Sequence, residues 1–391
     1  MATQFRAGRY IKQPNHYSAF VPEPLPPAPP LVIDGAMQTM LSKADRALGR
    51  LDGSIQTLPD PDMFVFMYVR KEAVLSSQIE GTQSSLNDLL EAEAAIHDAN
   101  RPSDVSEVLN YVRAMNYGLQ RLAELPISVR LIREIHEELM QGVRGNHQGV
   151  RGNHASPGEL RRSQNWIGPG GSTLNDAIFV PPPPQEVERL LSDLEKFVHD
   201  DSSIPALIKI GLIHAQFETI HPFLDGNGRV GRLLIAFYLC QKDILLKPVL
   251  YLSHWFKLHR SRYYELLQNI RDKGEWEEWT KFFLEGVASV SLEATETARN
   301  IVTMREDHRR RITDRFGRSA GNGLRVLESL YTHPFIDNRA VMEKLGLSFP
   351  AAADLIDRFV EADLLTEITG QARYRVYQYF PYVRLFSDVG R

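Results

Sequence analysis

Cysteine is almost missing from this chain. The one thiol, Cys240, has no partner for an internal disulfide, which rules out a disulfide framework and fits a reducing compartment. It falls in the apolar run Leu233 to Cys240 and reads as a small buried hydrophobe. Long apolar runs are missing too, so no stretch reaches the length needed to span a bilayer. The first residues, Met-Ala-Thr-Gln-Phe-Arg, lack the apolar core of a signal peptide. Nor is there an excess of positive charge: the formal net charge is −4, which argues against a generally basic nucleic-acid binder. With 43% hydrophobic and 24% charged residues, the composition is that of an ordinary globular protein, expected in the cytoplasm. At 391 residues it is expected to form two or three units.

Against that plain background one stretch stands out: His221-Pro-Phe-Leu-Asp-Gly-Asn-Gly-Arg-Val-Gly-Arg232. It lies between two apolar helical stretches, Ala206 to Ile220 and Val230 to Gln241. Gly226 and Gly228 can adopt backbone angles that other residues avoid. A glycine-rich turn that opens a helix points free N–H groups outward and adds the positive end of the helix dipole, an arrangement that binds phosphate. Arg229 and Arg232, three apart on the new helix, can face one anion. Asp225 offers a hard oxygen suited to Mg²⁺, and His221 can exchange a proton near neutral pH. A capped helical hairpin would explain the glycines but not the paired arginines.

The pattern His-x-Phe-x-Asp-Gly-Asn-Gly-Arg-x-x-Arg resembles the active-site loop of the Fic family of AMP-transferases, with every fixed position present. The resemblance implies a mainly α fold, a Fic-type helical bundle with a small β-hairpin flap. It also implies ATP as co-substrate and Mg²⁺ as cofactor, with His221 catalytic and Asp225 holding the metal. ATP is expected to meet Glu80, His221, Gly226, Asn227, Gly228, Arg229, Val230, Gly231, Arg232 and Tyr264. Tyr264 belongs to a Tyr263-Tyr264 pair that resembles a tyrosine pair lining the nucleotide pocket in similar proteins, and an aromatic face suits adenine. His214, seven residues before His221, is expected to pack within its helix rather than join a metal set.

Further upstream, Asp60-Pro61 reads as an N-cap and first turn of a helix running to about Gly81. Near its end, Ser76-Ser-Gln-Ile-Glu-Gly81 looks like the inhibitory motif of Fic proteins, with Ser76, Glu80 and Gly81 at the matching positions. The resemblance pairs Glu80 with Arg232. A carboxylate there neutralises a guanidinium meant for a terminal phosphate and repels that phosphate.

Residues 1–58 are expected to hold an N-terminal proline-rich arm, extended as polyproline II around residues 21–31, and a first helix. The catalytic domain is expected over 59–315. Within it, residues 163–184 look like the family's flap, with Ile178, Phe179 and Val180 as the edge that receives a target's backbone. A tandem repeat, Gln-Gly-Val-Arg-Gly-Asn-His twice over 141–154, reads as a duplicated surface loop rather than a metal site at His147 and His154. Residues 319–391 resemble a winged helix-turn-helix-like domain, frequent at this place in the family. There nine acids outnumber eight bases, and the helix Pro350–Ala362 holds three acids and only Arg358, so DNA binding is disfavoured and a protein contact favoured.

The expected activity is transfer of AMP from ATP to a Tyr, Thr or Ser hydroxyl of a target protein, and to the chain itself, restrained by Glu80. Removal of AMP, transfer of another phosphate-containing group, or DNA-binding regulation through the C-terminal domain are the alternatives. The target protein is not legible. A homodimer is common among similar proteins, though no interface is visible; no membrane partner is expected.

Overall fold

The computed structural model describes residues 6–387 apart from 15, 57, 59, 97–100, 143–155 and 202. The tandem repeat, with His147 and His154, therefore lies almost entirely outside the described residues.

Ahead of the proline-rich run the arm forms an antiparallel hairpin, β1 (Gly8–Lys12) and β2 (Ser18–Pro22), which was not expected. Tyr10 and Phe20 face each other across it, edge to face at 5.1 Å. Alternation over only five residues each side is too short to stand out from the polar segment around it. Helices follow: α1 (Gly35–Gln56), α2 (Pro61–Ile79), α3 (Leu86–Glu93), α4 (Val105–Arg121) and α5 (Val129–Leu139). Their starts carry side-chain caps. The Asp60 carboxylate accepts the Asp62 N–H at 3.0 Å, Ser85 and Asp88 form a capping box, and Ser128 accepts the Leu131 N–H at 3.3 Å. Along α5, Leu131, Ile132, Ile135 and Leu139 make a buried stripe at helical spacing.

Next come α6 (Val187–His199), α7 (Ala206–Ile220), α8 (Asn227–Gln241), α9 (Ser253–Leu258), α10 (Arg260–Lys273) and the long α11 (Trp276–Arg315). Helices α7 and α8 pack on each other and are buried nearly all round, as their continuous apolar runs require. Gly211 makes room there for the Phe283 ring, and its carbonyl takes the Trp279 indole N–H at 2.8 Å. The chain ends with α12 (Ala320–Leu330), β3 (Phe335–Asp337), α13 (Asn338–Leu345), α14 (Phe349–Glu361), β4 (Thr366–Glu367), β5 (Val376–Gln378) and α15 (Phe380–Ser387).

These elements divide into two compact units. The first gathers residues 1–52, 72–83 and 106–292 and contains the whole 221–232 loop. The second gathers 53–71, 84–105 and 293–391. In the second, β3, β5 and β4 form a three-stranded antiparallel sheet in that order. Tyr331, Tyr379 and Tyr382 form its aromatic core, with the Tyr382 hydroxyl donating to the Met63 carbonyl at 2.9 Å. Among the described residues no helix is long and apolar enough to cross a membrane.

Candidate active site

Helix α7 ends at His221, which takes the left-handed conformation (φ 49°, ψ 60°) usually left to glycine at a helix C-terminus. Such a residue persists only where its surroundings hold it. Here Arg161 does so. Its Nε donates to the His221 carbonyl at 2.8 Å, its Nη2 to the carbonyls of Pro182 at 2.5 Å and Ile220 at 3.4 Å, and its backbone N–H to the Pro222 carbonyl at 2.9 Å. The loop that follows is tied to itself by Asn227, whose amide accepts the Phe223 N–H and donates to the Phe223 carbonyl, each at 2.8 Å. Asn165 donates to the same carbonyl at 2.9 Å. Phe223 is fully buried and stacks on the His136 ring at 3.7 Å, with 2° between planes.

The turn expected to cradle an anion begins at Gly226, in the left-handed region at φ 79°, from which α8 starts. The first turn of a helix leaves its N–H groups without intrahelical acceptors, here those of 227–229. A Cβ at Gly228 would lie 2.2 Å from Glu80 Oε1 and 2.9 Å from Arg232 Nη1, so only glycine leaves this space open. Arg232 is buried, and Glu80 Oε1 accepts its Nη2–H at 2.7 Å. Ser76 holds the same guanidinium, its hydroxyl accepting from Nε at 2.7 Å and its carbonyl from Nη2 at 2.9 Å. Arg229 donates to Glu107 at 2.9 Å and lies 3.6 Å from Asp225, while its own buried Nε finds no acceptor. The structure thus brings Ser76 and Glu80 to Arg232 across more than 150 residues.

Burial sets the protonation states. Desolvation, reinforced by Arg161 and Arg271, pushes His221 down to about 3, so the imidazole is neutral at pH 7. The Glu218 carbonyl offsets a little of this, yet the buried Nδ1 makes no hydrogen bond of good geometry. Desolvation also raises the buried carboxyls of Glu218 and Glu72 to about 7, with Arg232 opposing in both cases and Ser253 and Tyr111 opposing at Glu72. Arg232 itself is desolvated, but Glu80 foremost, then Tyr263 and Glu218, outweigh that and keep it charged.

The remaining expected residues fall as follows. Gly81 closes α2 at φ 108°. Val230 is buried, and the Gly231 carbonyl accepts from His214 Nδ1 at 3.0 Å. His214 packs within the core, its Nε2 accepting the Tyr263 hydroxyl at 3.0 Å. Of the tyrosine pair, Tyr263 is buried and Tyr264 is 40% exposed. At the flap, a single antiparallel bridge joins Ile167 and Phe179, which exchange both backbone hydrogen bonds. Phe179 and Val180 are buried, Phe179 beneath the Arg271 guanidinium at 3.6 Å. The Val180 carbonyl already accepts the Phe20 N–H of β2 at 2.9 Å. Of the three residues expected at the edge, Ile178 alone is exposed.

One Asp225 oxygen accepts the Gly226 N–H at 2.6 Å, which leaves the other as a hard donor. No group of three or more His, Cys, Asp or Glu among the described residues could hold a metal. A single carboxylate beside an anion cradle fits Mg²⁺, which keeps several waters and shares phosphate oxygens, and would not hold an ion by itself. Arg161, Asn165, His136 and Glu107 escaped the sequence reading. Each lies far along the chain from the loop residue it holds, and none forms a local pattern; Arg161 is visible only as a basic residue beside the flap.

Two family models match this chain: the Fic/DOC family N-terminal model over residues 38–120 and the Fic/DOC family model over 126–239, together about half of its length. The chain belongs to the Fic/DOC family. Among curated relatives of this Fic/DOC chain, a probable protein adenylyltransferase of Aquifex aeolicus (strain VF5) is 29% identical over 188 residues, 46% of this chain and 51% of that one. Protein adenylyltransferase Fic of Drosophila erecta is 27% identical over 210 residues, 52% of this chain and 37% of that one. The chain thus spans about half or less of the length of these relatives. A Fic family protein from Desulfovibrio desulfuricans G20 shares the fold, with a TM-score of 0.56 at 19% identity over 90% of this chain and 97% of that one.

Proposed function

We propose that this chain transfers AMP from ATP to a hydroxyl side chain of a target protein, and of itself, with Glu80 restraining the reaction. The observation that carries this reading is the Glu80 carboxylate lodged between Gly228 and the buried Arg232, in a cradle whose chemistry suits a phosphate. The curated relatives named adenylyltransferases support the reaction class.

In this reading the target lies against the flap at Ile178. His221 is neutral and so able to accept the proton of the attacking hydroxyl. A base held near 3 is weak, but a polyanion brought beside it favours the imidazolium and raises its basicity as substrate binds. The hydroxyl oxygen forms a bond to the α-phosphorus, the bond to the β-phosphate oxygen breaks, and diphosphate leaves. The N–H groups at 227–229 stabilise charge on the phosphoryl oxygens, Arg229 holds the leaving diphosphate, and Arg232 joins it once Glu80 withdraws. Asp225 would hold Mg²⁺, whose charge neutralises the phosphates. Asn227 and Phe223 keep the loop in shape. Ser76 anchors Arg232, and Gly81 ends the inhibitory helix. Gly226 gives the turn, Gly231 and Val230 seat α8, and Tyr264 offers an aromatic face to adenine. Residues 59–315 serve as the catalytic domain after an arm and first helix over 1–58, and we read 319–391 as a winged-helix-like module that contacts protein.

The test uses wild type, Glu80→Gly and Glu80→Gly/His221→Ala with Mg²⁺ and ATP labelled at the α- or the γ-phosphate. Protein-bound α-label in Glu80→Gly, lost in the double variant and absent from the γ-series, is the expected result. A Glu80→Gly protein that binds ATP but carries no more label than wild type refutes the restraint. Its absence from every sample directs the assignment to AMP removal or another donor.

A further inference from the structure

His136, on α5, lies almost ninety residues from the loop in sequence yet touches it at two points. It is buried, its ring stacks face to face on Phe223 at 3.7 Å, and its Nε2 lies 3.1 Å from the Asp225 carbonyl oxygen. On its other side, the Gly158 N–H reaches Nδ1 at 3.0 Å. A backbone N–H can only donate, so Nδ1 is the acceptor and the ring proton of the neutral imidazole sits on Nε2. That proton points at the Asp225 carbonyl. The tautomer is therefore dictated by Gly158, at φ 75° in the turn that precedes Arg161. A Cβ on Gly158 would meet Glu137 and the Arg133 carbonyl at 3.2–3.3 Å, so the turn is closed up against α5.

Resting on the functional reading above, we infer that His136 is a positioning residue that holds the Asp225 backbone, and with it the metal-binding carboxylate, through its Nε2–H and its stack on Phe223. It touches neither nucleotide nor target in that reading; it acts through residues that do. Asn227 and Asn165 restrain the loop at Phe223, two residues earlier in the chain, and Arg161 restrains it at 220–222. His136 alone among these reaches the 225 peptide, from which Asp225 projects.

Two substitutions separate this role from plain packing. Glutamine places an amide nitrogen near the histidine Nε2 position and can keep the bond to Asp225. Asparagine places its amide near Nδ1 and can keep only the bond to Gly158. Both delete the ring stack and keep one of the two bonds, to Asp225 in glutamine and to Gly158 in asparagine, so only asparagine releases the loop. In the Glu80→Gly background, amide hydrogen exchange of the peptide covering 223–229 should quicken about tenfold more in His136→Asn than in His136→Gln. The strengthening of ATP binding by added Mg²⁺, read by calorimetry, should fall about tenfold in His136→Asn and be largely restored in His136→Gln. Equal loop exchange in the two variants overturns the inference, whatever their melting temperatures. If the Glu80→Gly parent itself binds no ATP, the functional reading fails, while the exchange comparison still decides the role of His136 in holding the loop.

Discussion

Gly228→Ala tests the packing of Glu80 against the cradle without reference to any reaction. The new methyl would sit 2.2 Å from Glu80 Oε1, about 1 Å inside ordinary contact. The helix backbone of α8 is buried and cannot retreat, whereas Glu80 is the end of a flexible side chain with 37% of it exposed. The carboxylate must therefore move, and the 2.7 Å bond to Arg232 breaks. A charge-assisted hydrogen bond contributes about 1.5–3 kcal/mol when buried, and the exposure of Glu80 brings this to about 1–2 kcal/mol. Alanine returns up to about 1 kcal/mol through its helix propensity. The methyl is also 2.9 Å from Arg232 Nη1, a guanidinium that Ser76 holds in place, so part of that gain is lost. In wild type the substitution should cost about 0.5–1 kcal/mol. In Glu80→Gly, where the main clash is gone, it should stabilise by about 0.5 kcal/mol. The assay is urea unfolding of the four proteins of this cycle. The sign reversal corresponds to a coupling of about 1 kcal/mol or more. Additive behaviour would refute the placement of Glu80 over Gly228.

Two further outcomes follow from the same site. His136, His214 and His221 are held by burial at about 4, 3 and 3, below the unfolded value, so their contribution to stability is lost as pH falls from about 6.5 toward 4. Glu72 and Glu218, raised by burial to about 7, act oppositely and cost stability as pH rises from about 4.5 to 7. His308 is likewise held by burial at about 4, so four histidines against two carboxyls leave a net rise of about two protons' worth near pH 5.5 and a maximum near pH 7. Urea midpoints should peak there, and Glu72→Gln/Glu218→Gln should move the peak upward; an unmoved peak contradicts the buried carboxyls. Asn227→Ala removes two buried 2.8 Å hydrogen bonds to Phe223 and should cost about 2–3 kcal/mol in urea unfolding, and a loss below about 1 kcal/mol would show that Asn165 alone suffices to hold that carbonyl.

What could be read from the sequence was what is written locally. Helical periodicity, caps and continuous apolar runs gave α2 and α7 nearly to the residue, because each of those signals acts within one or two turns. The loop at 221–232 was legible for a different reason: all its chemistry types fall within twelve consecutive positions. The arm's hairpin was not, since five-residue strands flanked by prolines carry little alternation. The second unit's boundaries were hidden as well. It takes residues 53–71 and 84–105 from the N-terminal part, a division that depends on contacts such as Tyr382 to Met63 rather than on composition.

The deeper gap lies in what holds the loop. A left-handed histidine and two buried arginines are each costly where they stand, and the twelve residues meet that cost only in part, through the Asn227 bonds to Phe223 and Asp225 beside Arg229. The remaining offsets come from Arg161 on the carbonyls at 220–222, His136 on the 225 carbonyl, Ser76 and Glu80 on Arg232, and Glu107 on Arg229. Among these, only Ser76 and Glu80 sit in a recognisable short motif. Arg161, His136 and Glu107 are ordinary polar residues in ordinary helices and turns until the fold places them. Their importance comes from burial, because a hydrogen bond to a desolvated carbonyl or guanidinium has no water to replace it. A loop motif thus names the chemistry, while the residues that make the chemistry's geometry persist are scattered wherever the chain returns to it.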